Sequence, residues 1–246
     1  MPKHEFAPFA ELIEQIRRSR TAKWSSIQDA FIEVVERFDA EFGRARRSTD
    51  WYQAMARFFN DTIVALLAHA SSKRILTRKK KGSQLFGNVD VDICYPESDP
   101  PTILGEIQAL GTPPHPKNRN QARSGSSDLH KRLREVAFTS MDLKMYYSPP
   151  QPIDSFQSWI DSTSPGYFSF WAIRASDDGD FERVRSMLSC LRAYCNGVAA
   201  VVYMPKTADS QTSYNVRKVP ELDIDRAIRA IAQRISYQSH LERGAS

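Results

Sequence analysis

The sequence predicts a mixed α/β fold, with a central sheet, helices packed on it, a helical layer at the N-terminus and a closing helix at the C-terminus. Three observations carry this expectation. Residues 89–95, VDVDICY, alternate apolar and polar side chains, the period-two signature of a strand with one buried face. Residues 198–204, VAAVVYM, form a continuous apolar run, as a strand covered on both faces requires. Around these two segments, longer stretches repeat apolar residues at helical spacing.

Taken in order, residues 6–18 place Phe6, Phe9, Leu12, Ile13 and Ile16 on one helical stripe. Ser26 with Asp29 three residues on is a variant capping box that opens a second helix. Its stripe runs from Ile27 through Phe31, Val35 and Phe38 to Phe42, and Gly43 suits its C-cap. Ser48, Thr49 or Asp50 caps a third helix, which reaches about Ala70 and buries Tyr52, Met55, Phe58, Phe59, Ile63, Leu66 and Leu67. Residues 1–48 thus read as a helical layer and residues 49–246 as the core with its C-terminal helix, together one compact unit. Residues 74–77 are a short strand candidate, and the lysine-rich run 78–82 after them reads as a turn or loop.

The 89–95 segment and its return, residues 102–110, read as a hairpin about the turn Pro96-Glu97-Ser98-Asp99-Pro100-Pro101. Alternation puts Val89, Val91, Ile93 and Tyr95 on one face, and Asp90, Asp92 and Cys94 on the other. On the return arm Glu106 and Gln108 face away from Ile103, Ile107 and Ala109. Folding about the turn places Asp92 roughly opposite Gly105, one step from Glu106. A carboxylate from each arm then reaches a common point, and two such groups repel unless a cation lies between them. Mg²⁺ is the expected cation, since it accepts one or two carboxylates together with waters and phosphate oxygens. Mn²⁺ is expected to substitute.

Past the hairpin, residues 111–118 (GTPPHPKN) cannot be regular structure. This loop leaves from beside Glu106 and Gln108, so His115, Lys117 and Asn118 are candidate phosphate or base contacts. A helix over about 126–146 turns Leu129, Leu133, Val136, Ala137, Met141 and Met145 inward. Residues 148–152 break the chain. Strand 167–173, helix 181–196 ended by Gly197, and strand 198–204 form a crossover unit. Residues 206–219 read as irregular, with Lys206, Arg217 and Lys218 in a DNA-contacting loop or a simple connection. Residues 221–237 form a last amphipathic helix that completes the core or supplies a dimer face.

An Asp, a turn, and then Ile103-Leu104-Gly105-Glu106-Ile107-Gln108 resemble the active site of the PD-(D/E)XK nuclease superfamily. The resemblance spans roughly residues 50–205. It implies a restriction-endonuclease-like αβββαβ core and Mg²⁺-dependent hydrolysis of DNA phosphodiester bonds. Carried over, Asp92 is the motif Asp, with Asp90 as a second candidate, and Glu106 is the motif acid. Gln108 stands where Lys is usual. Gln is neutral and cannot offer positive charge to a developing anion, although a minority of restriction enzymes resemble this chain there. Asp90, Asp92 and Glu106 are the implied metal ligands; Asp92, Glu106 and Gln108 are the implied catalytic set. Asn60 or Asp61 of the preceding helix is a further candidate in such a family, though solvent exposure of both is the plainer expectation.

Charge distribution agrees with a polyanionic partner. The chain has 246 residues, net charge +5, 41% hydrophobic and 26% charged residues. Lys73, Arg74, Arg78, Lys79, Lys80 and Lys81 precede the acidic hairpin, and Lys117, Arg119, Arg123, Lys131, Arg132 and Arg134 follow it. Two basic clusters bracketing an acidic centre suit a surface that tracks phosphates; a pair of solvated loops is the bland alternative. Of these, Lys79, Lys80, Lys81, Arg119, Arg123, Lys131 and Arg132 join His115, Lys117 and Asn118 as expected DNA contacts, with Lys117 or Lys131 supplying the charge that Gln108 lacks. Double-stranded DNA is the expected partner, and cutting both strands of a palindrome calls for a homodimer. Cys94, Cys190 and Cys195 lack metal-ligand spacing and read as core thiols in a reducing cytoplasm. No apolar run is long enough to cross a membrane, and no Gly-rich phosphate loop, His-Glu-X-X-His or nucleophile elbow occurs. Two other readings stay open: a DNA-binding module of the same fold without chemistry, and an interaction protein whose acidic face is merely solvated.

Overall fold

A computed structural model describes residues 6–42, 48–113, 124–152, 155–162, 165–207 and 212–244. The elements run α1 (Ala7–Arg18), α2 (Trp24–Phe42), α3 (Ser48–Ser71), β1 (Lys79–Ser83), β2 (Gly87–Val91), β3 (Ile93–Tyr95) and β4 (Ile103–Leu110). They continue with α4 (Gly125–Tyr147), α5 (Phe156–Ser162), β5 (Gly166–Arg174), α6 (Asp178–Leu191), β6 (Gly197–Pro205), β7 (Tyr214–Arg217), a 3-10 turn (Pro220–Leu222) and α7 (Ile224–Gly244). The architecture is mixed α and β, as the hydrophobic periodicities predict. Among the described residues, one sheet has the order β3-β4-β5-β6-β7 and a second pairs β1 with β2. The outer pairings β3–β4 and β6–β7 are antiparallel, and the inner ones, β4–β5 and β5–β6, are parallel. Parallel neighbours need crossover connections, and α4 and α6 lie in those two connections.

The sheet separates two apolar layers. On one side Ile103, Ile107 and Ala109 of β4 and Phe168, Phe170 and Ala172 of β5 pack with α1, α2, α3 and α7. On the other, Leu104, Leu110, Tyr167, Trp171 and Ile173 pack with α4 and α6. A strand alternates its side chains, so Glu106 and Gln108 lie with Leu104 and Leu110 on the α4 side. At Gly105 the backbones of β4 and β5 leave no room for a side chain: a Cβ there would sit 2.4 Å from the carbonyl oxygen of Phe168.

Several expectations are corrected. The lysine-rich run is strand β1, not a loop, and residues 74–77 make only the bridge Leu76–Cys94. Composition suggests a turn there, but pairing with β2 satisfies the backbone of β1, and Lys81 folds inward. The first hairpin arm is two strands broken at Asp92, so Val91 packs on the α4 side while Ile93 packs on the opposite one. Helix α2 begins two residues before Ser26, and its first amides are capped from far along the chain. Trp24 N and Ser25 N donate to the Asp225 carboxylate at 2.7 and 3.0 Å. Met145 of α4 is exposed rather than inward, and Cys190 is an exposed thiol, whereas Cys94 and Cys195 are buried. Gly197 opens β6 instead of ending α6. The stretch read as irregular holds β7, whose Tyr214 is buried; Arg217 pairs with Asp178 at 3.1 Å and lies over the Phe181 ring, and Lys206 pairs with Glu36. Helix α7 sends Ile224, Ile228, Ile231 and Ile235 into the core, so its apolar stripe completes the core. Among the described residues no helix is long and apolar enough to cross a membrane.

Candidate active site on paired strands

Strand β3 meets β4 with Ile93 opposite Gly105 and Cys94 opposite Leu104. Regular pairing stops at Ile93, and Asp92, whose amide donates to Gly105 O at 3.0 Å, lies against Gly105, one step from Glu106, as expected. Its carboxylate accepts from Ile107 N at 3.0 Å, the amide that a continuing strand would engage. The chain then departs from β4 at this point, and the carboxylate stays half-buried beside Glu106.

Glu106 is held from two sides. Tyr167 of β5, fully buried, donates its hydroxyl to Glu106 Oε1 at 2.8 Å, and the Gln108 amide also hydrogen-bonds the carboxylate. Burial pushes the Glu106 carboxyl up to about 7; the two hydrogen bonds oppose the shift, and the charges of Asp92 and Glu135 add to it. Burial likewise raises Asp92, against its bond to Ile107 N and the charge of Arg78, with Asp90 a smaller repulsive influence. Two carboxylates whose ionised forms are both disfavoured, and which repel each other, suit a divalent cation better than solvent. The donors left over are oxygens, as Mg²⁺ prefers, and two carboxylates are within its usual complement. Among the described residues no group of three or more His, Cys, Asp or Glu side chains gathers closely enough to hold a metal by itself. Substrate phosphate and water oxygens would have to complete the shell.

Not every expected residue reaches this pair. Asp90 is exposed on β2. Lys81 is only 5% exposed and donates to Glu97 O and Asp99 Oδ1, both at 2.9 Å, so it pins the 96–101 turn and does not face a ligand. Lys79 pairs with Glu97 at 2.5 Å, and Lys80 is exposed. Lys131 and Arg132 lie exposed on α4, within 3.9 and 2.7 Å of Glu135, a residue whose charge reaches Glu106. His115, Lys117, Asn118, Arg119 and Arg123 lie outside the described residues. Asn60 is buried and bonds to exposed Asp61, on the helix that packs against the other face of the sheet.

Four groups at the site escape a reading of the hairpin alone. Arg78, in a left-handed conformation (φ 52°), is the cation acting on Asp92. On β5, Tyr167 reaches Glu106, Ser169 stands opposite Glu106 and Trp171 opposite Gln108. Ser169 Oγ and Trp171 Nε1 are buried without a protein partner, two unused polar groups on the strand flanking the acidic pair. The one signal in the sequence is their alternation, Tyr-x-Ser-x-Trp, in a strand otherwise apolar. Protein-family models, curated proteins and solved structures give no match to this chain.

Proposed function

We propose that the protein is a Mg²⁺-dependent DNA endonuclease, restriction-endonuclease-like in its core, with Asp92 and Glu106 as metal ligands. The observation that carries the reading is the placing of the Asp92 carboxylate, at the break between β2 and β3, on the amide of Ile107 next to buried Glu106, whose carboxyl burial pushes up to about 7. Order of elements is shared only in part with the αβββαβ core that the resemblance implies: α3, an antiparallel β3–β4 pair, α4 and a parallel β5 follow one another, with β1 and β2 paired in a sheet of their own and α5 before β5. A bound divalent ion would polarise the scissile phosphate and acidify a water. The chain's own groups do the rest. Tyr167 and Gln108 fix the Glu106 carboxylate, Ile107 N fixes that of Asp92, and Arg78 provides positive charge that Gln108 does not. Plasmid DNA incubated with Mg²⁺ is expected to be cut by the native chain and left intact by Glu106→Ala; equal cutting by both removes the assignment.

Gln108 favours one competing reading, a DNA-binding module of this fold without chemistry. In that case titration calorimetry shows no heat with Mg²⁺ or Mn²⁺, while a gel shift with duplex DNA persists.

A further inference from the structure

The turn joining β1 to β2 holds Leu85 and Phe86 in solvent, 64% and 60% exposed. Its backbone is nevertheless fixed. Buried Asp142 of α4 accepts from Ser83 Oγ and, at 3.1 Å, from Leu85 N, and Ser83 Oγ accepts from Phe86 N at 3.0 Å. Gly82 lies so close to the Tyr146 ring that a Cβ would meet it at 2.7 Å. The Phe86 ring leans edge-on against Phe138 at 5.6 Å, and Phe138 is itself partly exposed. Two large apolar side chains are therefore held outward on an ordered backbone, although a monomeric protein gains nothing from wetting them.

The surroundings indicate what covers them. Lys80 is exposed on β1, and Lys131 and Arg134 are exposed on α4. Arg134 stands four residues before Phe138, one turn of α4, so a cation flanks the aromatic pair. Strand β2 lies between the tip and Asp92, so the tip stands roughly 20 Å along the strand from the acidic pair. A partner that meets cations at its surface and offers apolar, stacked planes inside is a nucleic acid duplex, and proteins do insert Leu and Phe between base steps.

We propose that Leu85 and Phe86 form a wedge that enters a DNA duplex and stacks on its bases. The proposal rests on the DNA part of the reading above, and is independent of catalysis. Phe86→Trp puts a reporter at the tip. In EDTA, its emission over that of the native chain is expected to fall by at least about twofold on saturation with sheared duplex DNA, because an indole stacked on bases is quenched. Heparin, which matches the charge but has no bases, is expected to leave that emission unchanged. Equal quenching by heparin, bound DNA without quenching, or no DNA binding at all overturns the wedge. So does a lower sedimenting mass for the Leu85→Ser/Phe86→Ser double variant than for the native chain, which assigns the patch to contact between two copies. Quenching by DNA that is never cut with Mg²⁺ supports the wedge and sinks the nuclease; cutting without quenching sinks the wedge alone.

Discussion

Glu106 shows what burying a carboxylate costs the folded chain. In the folded chain it keeps its proton up to about pH 7, against an ordinary value of 4.5, because burial disfavours its charge. The folded state therefore binds the extra proton between those two values, so stability falls as pH rises from 4.5 through 7. Below the window both states are protonated; above it the folded state holds a buried charge. At about 1.4 kcal/mol per pH unit the loss is on the order of 3 kcal/mol as an upper limit. Glu106→Gln keeps an acceptor for Tyr167 and removes the charge. In EDTA at pH 8 this variant is expected to melt about 5 °C above the native chain, given roughly 2–4 °C per kcal/mol for a chain of this size. Near pH 4 the difference should disappear. A thermal melt at the two pH values measures it, and a variant no more stable at pH 8 would show that Glu106 is not strained by burial. Metal binding should reverse the ranking, since the ligand stabilises only the chain that keeps its carboxylate.

At the scale of elements, ends and breaks are where distant residues act. The hydrophobic stripe of α2 was readable, but its N-terminal cap was not, because Asp225 is about 200 positions away. An Asp225→Ala variant leaves two first-turn amides without this acceptor and is expected to cost about 1 kcal/mol, within the usual range for a lost cap. Asp225→Asn, which retains one acceptor oxygen, should recover much of it. Urea midpoints at constant m-value report the difference; an unchanged midpoint for the alanine variant would mean that water caps the helix equally well. The 89–95 arm illustrates the same point within the sheet. Alternation alone predicts one continuous strand. Asp92 interrupts it by taking the Ile107 amide for its own carboxylate, and that interruption is what holds the acid against Glu106.

For the whole molecule, the helical layer and the sheet share one apolar interior. Residues of α1, α2, α3 and α7 enter the same buried cluster as β4, β5 and β6. A polar network reinforces the junction: Asp39 of α2 accepts from Trp51 Nε1 at 2.6 Å and from the Tyr214 hydroxyl at 2.5 Å, and that hydroxyl accepts from Arg174 Nε at 3.3 Å. Burial raises Asp39 to about 6 despite those partners. On the other side of the sheet, fully buried Lys144 donates to Ile160 O, Pro165 O and Asn196 Oδ1, and burial lowers it to about 8. Elements joined so extensively should unfold together. Near-ultraviolet circular dichroism, sensing Trp24 and Trp51 of the helices with Trp159 and Trp171 near the sheet, is expected to change at the same urea concentration as the far-ultraviolet signal. Two separated transitions would instead mark the N-terminal helices as an independent unit.

By itself the sequence determined the mixed α/β class, the apolar face of each long helix, the strands 167–173 and 198–204, and the candidacy of Asp92 and Glu106. These follow from local periodicity and from residue chemistry, which a single segment carries. Tertiary structure alone decided that β1 is a strand, that Lys81 is consumed by Glu97 O and Asp99, that the Asp92 carboxylate takes the Ile107 amide, and that Arg78 acts on Asp92 while Tyr167, Ser169 and Trp171 flank Glu106 and Gln108. Each of those depends on which segments lie side by side. Backbone pairing and desolvation are set by neighbours in space, and no window along the chain contains them.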